Sequence, residues 1–158
     1  LSVIIFLTGC ANRGYHTELV PVTPPAVLES AAVFDWPLKG RVVSPFGAKE
    51  EGVSLKGVLI EGREGEEVLA ANDGTVIFVD EKLAGYGKTV IVDHGGAWAT
   101  VYARNSEILV RAGQAVRRGQ AIAKVGRGGK KNISQLYFEI RNKSRAHDPA
   151  RYLQKKSF

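Results

Sequence analysis

Cysteine occurs once, at Cys10, which excludes a disulfide framework within the chain. Histidine occurs three times, at His16, His94 and His147. Together these leave little material for a metal site. No apolar run reaches the roughly 18 residues of a membrane-spanning helix. No long amphipathic helical pattern is visible. The basic residues come without a nucleic-acid-reading motif, so nucleic acid is not expected as a partner. Aromatic residues are also scarce, at 8% of the chain.

What is present is the composition of an ordinary globular protein. The 158 residues are 44% apolar and 24% charged, which fits one domain with a short appendage. Eighteen glycines imply many turns and short strands. The net charge of +6 conceals an asymmetry. Residues 1–103 hold eight Lys and Arg against thirteen Asp and Glu, whereas residues 104–158 hold fourteen against three. A basic half attracts something acidic, such as an anionic membrane, a cell-wall polymer or an acidic protein.

The first nine residues, LSVIIFLTG, are apolar and uncharged and are followed by Cys10. They read as the core of a signal peptide (residues 1–9). With neither an initiator Met nor a basic segment before it, the chain is expected to begin part-way through that signal. Leu7-Thr8-Gly9-Cys10 resembles the bacterial lipobox, which implies lipid modification of Cys10 and anchoring to a membrane by several acyl chains. Ala11 in place of Asp implies sorting to the outer membrane, facing the periplasm of a Gram-negative envelope. Residues 10–33 read as the lipidated Cys and a linker, since Pro21, Pro24 and Pro25 favour extended chain. Fully extended, that linker reaches about 70 Å.

From residue 34 to 158 short β-rich runs alternate with glycine. Strands are expected at 41–43, 58–61, 67–70, 74–80, 89–94, 97–103, 121–125 and 136–141. Turns are expected at Asp73-Gly74, Ala84 to Gly87, Gly95-Gly96 and Gly126 to Gly129. This spacing predicts an all-β domain, mainly antiparallel, of sandwich or barrel-like form. Gly65-Glu66-Glu67-Val68 and Gly113-Gln114-Ala115-Val116 suggest an internal pseudo-repeat, with a third such turn at Arg118-Gly119-Gln120. Along Gln135 to Arg141, Leu136, Phe138 and Ile140 face the core. Gln135, Tyr137, Glu139 and Arg141 face the other way, as a binding floor would.

Trp36-Pro37-Leu38-Lys39-Gly40-Arg41 through Phe46-Gly47, Gly65 to Val76, Gly85 to Gly95, Val110 to Gly126, Leu136 to Arg141 and Asp148 to Leu153 together resemble the LytM, or lysostaphin-type, zinc metallopeptidase domain. The resemblance implies a duplicated hybrid motif fold, barrel-sandwich-like, over 34–158. Active members bind zinc through a His-x-Gly-x-Asp segment and the second His of a His-x-His strand, and two further His assist catalysis. Here the first segment reads Leu55-Lys56-Gly57-Val58-Leu59, and the strand reads Gln135-Leu136-Tyr137. The former ligand positions are thus Leu55, Leu59 and Tyr137, and the former catalytic His positions are Arg104 and Gln135. Leu supplies no lone pair and Arg104 repels a dication, so no cofactor and no peptidase activity are expected. His94 is expected to make structural hydrogen bonds.

The pattern is similar to degenerate LytM proteins, the EnvC/NlpD-type activators of murein hydrolases. That implies a non-enzymatic activator of a periplasmic zinc amidase in peptidoglycan remodelling and daughter-cell separation. Its docking groove would lie at the former zinc site, with candidate contacts Lys56, Leu59, Tyr86, Tyr102, Arg104, Tyr137 and Arg141. Tyr102 and Arg104 are expected to point out together from one strand. Arg127, Lys130 and Lys131 would form a loop beside the groove. Two other readings stay open: a peptidoglycan-binding or structural envelope lipoprotein, and an endopeptidase with a displaced metal site.

Overall fold

The computed structural model describes residues 33–155. The expected signal peptide, Cys10, His16 and all but the last residue of the expected linker lie outside the described residues. Thirteen strands are present: β1 (Val42–Ser44), β2 (Lys49–Glu50), β3 (Val53–Ser54), β4 (Val58–Glu61), β5 (Glu67–Leu69), β6 (Gly74–Leu83), β7 (Gly87–Gly95), β8 (Trp98–Ile108), β9 (Ala115–Val116), β10 (Ala121–Val125), β11 (Arg127–Gly128), β12 (Ile133–Asn142) and β13 (Arg145–His147). Among the described residues the only helix is a single 3-10 turn, Pro149–Arg151. The fold is therefore nearly all-β, as the glycine punctuation predicts. The sheet runs β1-β4-β12-β8-β7-β6-β9, and every pair along it is antiparallel. β10 joins β5 to the far end of β8. Among the described residues β2 and β3 pair only with each other.

Each expected strand exists, with ends shifted by a few residues. The short strands β2, β3, β9, β11 and β13 were not foreseeable from periodicity, because two or three residues show none. The expected turn at 126–129 is partly strand, as Arg127 and Gly128 pair with Ser134 and Ile133.

The core is built by alternation. Val58 and Ile60 of β4, Leu136, Phe138 and Ile140 of β12, and Val90 and Val92 of β7 fill one continuous cluster with Phe34, Val68, Val76 and Ile122. Burying such side chains contributes about 1.5–3 kcal/mol each against an exposed reference. The two ends of the domain meet at its base. Phe34 N–H donates to the Tyr152 carbonyl at 2.8 Å, and Gln154 N–H donates to the Phe34 carbonyl at 2.9 Å.

The pseudo-repeat has a physical basis. In Arg63-Glu64-Gly65-Glu66, Arg111-Ala112-Gly113-Gln114 and Arg117-Arg118-Gly119-Gln120 the fourth residue's N–H donates to the first residue's carbonyl. Its side-chain oxygen accepts from the first residue's N–H in return, at 2.9, 3.2 and 3.0 Å. The third position has φ of 82°, 85° and 78°, so only Gly fits without strain. One turn design is used three times, each ahead of a short strand.

His94 serves this scaffold. Its Nδ1 lies 2.7 Å from the Asp73 carbonyl, which can only accept, so Nδ1 carries the proton. Nε2 therefore accepts from the Thr100 hydroxyl at 2.7 Å, and Thr100 Oγ1 in turn lies 2.9 Å from the Tyr102 hydroxyl. Burial lowers the His94 pKa below its ordinary 6.5. The unfolded chain then binds a proton that the folded chain refuses, so stability falls as pH drops below about 6.5. Thermal unfolding between pH 7.5 and 5 is expected to show this slope, and His94→Gln is expected to flatten it.

Candidate docking pocket

The face of the β4-β12-β8 layer opposite the core carries a second, smaller cluster. Tyr137 lies in direct register with Leu59 on β4 and with Ala103 on β8, so these three side chains form one row. Leu55 and Tyr86 pack against that row. The Tyr86 and Tyr137 rings meet edge to face, with centroids 5.2 Å apart. Leu55, Leu59 and Tyr137 are thus brought together from two distant stretches of sequence.

Above this row opens a cavity of about 660 Å³. Its floor is Tyr137, Tyr86 and Arg104. Its walls come from the β2–β3 hairpin (Glu50, Glu51, Val53, Ser54), from Leu55 and Lys56, and from Gly129 and Lys130. Lys56 and Val53 are exposed, Val53 at 70%. Of the expected basic loop, Lys130 lines the cavity. Arg127 pairs with Glu64 at 2.7 Å outside it, and Lys131 is exposed.

Three expected contacts, and Gln135 at a former catalytic His position, are placed differently. Tyr102 does not point out with Arg104. It is fully buried in the main core, its ring tilted against Phe138, and its hydroxyl accepts from the Ala71 N–H at 2.8 Å. Burial pushes its pKa up to about 12. The reason is Arg104, whose φ of 64° breaks the alternation of β8 and turns its side chain to the other face. Leu59 is 2% exposed and supports the floor from beneath. Gln135 is buried outside the cavity, beside Glu61. Arg141 also lies outside the cavity lining. Its Nη1 donates to Glu139 at 2.6 Å and its Nη2 to the Ser144 carbonyl at 2.7 Å.

Glu139 was not among the expected contacts, yet it organises the floor from behind. The carboxylate is 1% exposed. It accepts from Tyr137 OH at 2.5 Å, Tyr86 OH at 3.2 Å and Arg141. Burial and then the adjacent carboxylate raise the pKa of both tyrosines above the ordinary range, so both stay neutral donors. The period of β12 put Glu139 on the polar face, but alternation cannot distinguish a buried polar face from a wet one. Glu50, Glu51 and Val53 left no signal at all, since the hairpin that brings them to the cavity is invisible to periodicity.

Comparison with known proteins identifies the fold. The model for peptidase family M23 matches residues 54–149. The chain belongs to peptidase family M23. The M23 domain is 41% identical over 118 residues to the murein hydrolase activator NlpD of Escherichia coli (strain K12), covering 75% of this chain and 30% of that protein. It is 39% identical over 128 residues to outer membrane antigenic lipoprotein B of Haemophilus influenzae, covering 81% and 31%. The chain therefore spans about a third of the length of these relatives. A zinc-containing peptidase from Vibrio cholerae superposes with a TM-score of 0.66 at 29% identity, over 75% of this chain and 39% of that one. The antiparallel architecture is thus that of M23 peptidases.

Proposed function

We propose that this M23 domain is a non-enzymatic activator of a periplasmic N-acetylmuramoyl-L-alanine amidase, working in peptidoglycan remodelling and daughter-cell separation. One observation carries the reading. The three positions that the resemblance assigns to zinc ligands, Leu55, Leu59 and Tyr137, converge in one cluster, and two of them are leucine. These residues do not fit a catalytic zinc, which needs about three N, O or S ligands and an open place for water. Neither leucine has a lone pair. The nearby Glu139 carboxylate is already held by three donors. The Arg104 guanidinium lies 5.9 Å from the Tyr137 ring centre, where it opposes a dication.

What the floor offers instead is a half-apolar cavity with aromatic and arginine side chains, the composition of interface hot spots. Relatives named murein hydrolase activator support a hydrolase as the partner. The zinc and the chemistry then belong to the amidase. The domain shifts it towards its open state only by binding that state more tightly. Relatives named as lipoproteins support anchoring through Cys10, with the outer membrane as the site.

The test is dye release from labelled sacculi by the full chain, alone and with each periplasmic amidase of its host. Release is expected only in a mixture. Val53→Asp and Lys56→Glu are each expected to lower it about tenfold, as hot-spot changes do. Both side chains are exposed, so these variants leave the core intact. Release by the chain alone overturns the reading in favour of an endopeptidase. No release in any mixture, with the chain sedimenting with sacculi, overturns it in favour of wall binding.

A further inference from the structure

The β2–β3 hairpin is weakly attached to the described domain. Its two strands are two residues each and pair with nothing else, and an isolated hairpin is marginal in water. Val53, its apolar residue, points away from any core at 70% exposure. At its base, Gly47 N–H donates to the Leu55 carbonyl and Leu55 N–H to the Ala48 carbonyl. Across the cavity it is held by two carboxylates. Glu51 accepts from the Lys130 N–H at 3.1 Å, and Glu50 receives both terminal nitrogens of Arg104.

The Arg104–Glu50 contact is a built site. Arg104 reaches the cavity only through its left-handed backbone, a conformation that is strained in a non-glycine residue. Its side chain is 10% exposed and Glu50's is 27%. Two glycines make room for the pair. A Cβ on Gly128 would fall 2.6 Å from Arg104 Cδ, and one on Gly129 would fall 3.0 Å from Glu50 Oε1. A guanidinium so deeply placed requires a carboxylate, because a lone buried charge is costly. Exchanging one carboxylate for another keeps the bidentate pair and gives up only the weak hairpin contacts.

We infer that Arg104 is the receptor for an acidic side chain of the docking partner, and that Glu50 holds this place until the partner displaces it. The inference rests on the docking reading above and names the chemistry of its ligand. Displacing Glu50 leaves Arg104, Lys56 and Lys130 around Leu55, Tyr86 and Tyr137. That surface is complementary to a protein segment with one Glu or Asp flanked by apolar side chains. The hairpin is then a strap over the pocket, released by competition for one cation.

The test uses the full chain and two capped peptides, Leu-Leu-Glu-Leu-Leu and its Gln counterpart, with NMR detection of the Arg104 Nε–H. In Glu50→Gln the Glu peptide is expected to bind about tenfold more tightly than in wild type, and about tenfold more tightly than the Gln peptide. Adding Arg104→Gln is expected to remove that preference. Amide exchange across residues 49–54 should speed up in Glu50→Gln, and in wild type as salt rises, because the strap is electrostatic. Equal affinity of the two peptides for Glu50→Gln would falsify the inference, as would equal affinity of wild type and variant for the Glu peptide. Glutarate binding as tightly as the Glu peptide overturns the assignment to a protein segment. None of these readouts uses an amidase. Carboxylate selectivity without amidase stimulation therefore sinks the activator reading alone. Stimulation without selectivity sinks this inference alone.

Discussion

Arg141→Ala is expected to lower the unfolding free energy by about 3 kcal/mol, the cost of stripping the partner from a buried charge. For a domain of this size that is a fall in Tm on the order of 10 °C. The Glu139 carboxylate is 1% exposed, and among the described residues Arg141 is its only cationic hydrogen-bond partner. Without Arg141 it would be left with two neutral tyrosine hydroxyls. The reverse change is cheaper. Glu139→Gln keeps an oxygen for the tyrosines, and Arg141, a third exposed, can turn to water. A cost of about 1 kcal/mol is expected there. The double variant should lose little more than Glu139→Gln alone, giving a coupling of about 3 kcal/mol in a double-mutant cycle followed by urea unfolding. Additive single costs would mean that the pair is not the unit of stabilisation. A loss of docking in Arg141→Ala would then report a collapsed floor and not a lost contact. That is why the exposed Val53 and Lys56 are the better probes of the surface.

The alternation on β12 made the architecture of the pocket floor readable from the residues. Leu136, Phe138 and Ile140 had to face the core, so Tyr137 and Glu139 had to face away. The same rule failed on β8. Tyr102 faces the core and Ala103 the pocket, and one left-handed residue, Arg104, turns to the pocket side instead of following Tyr102. Nothing in the residue types of Tyr-Ala-Arg announces a left-handed arginine. The conformation comes from tertiary pairing, with Arg104 N–H donating to the Tyr86 carbonyl and Gly126 N–H to the Arg104 carbonyl. The strap was illegible for a related reason. Glu50 and Arg104 are far apart in sequence, and the glycines that admit them, Gly128 and Gly129, read as an ordinary turn. Local rules fix which side of a strand is apolar. They do not fix which distant charge crosses a cavity.

The assignment of Leu55, Leu59 and Tyr137 to lost ligand positions has a direct experimental consequence. The triple variant Leu55→His, Leu59→Asp, Tyr137→His is expected to bind zinc, and the wild-type chain is expected not to. Leu59 and Tyr137 are cross-strand neighbours in register, and Leu55 packs against the same cluster, so the new donors would converge on one point. Removing the Tyr137 hydroxyl also releases Glu139, and a carboxylate behind a metal-bound imidazole orients it. Without metal the variant should be less stable than wild type by roughly 2 kcal/mol or more, since it buries an aspartate with no partner. Zinc at about a hundred times its Kd should return about 2.7 kcal/mol. Thermal unfolding with and without zinc would show this as a rise in Tm on the order of 10 °C in the variant and none in wild type. Arg104 works against the site, because its guanidinium sits over the Tyr137 position. Adding Arg104→His is therefore expected to tighten zinc binding further by removing a positive charge from beside the metal. A variant that folds and yet shows no zinc-dependent shift would mean that the three positions do not share one ligand geometry. In that event the leucines would be ordinary packing residues, and the pocket would owe nothing to a former metal site.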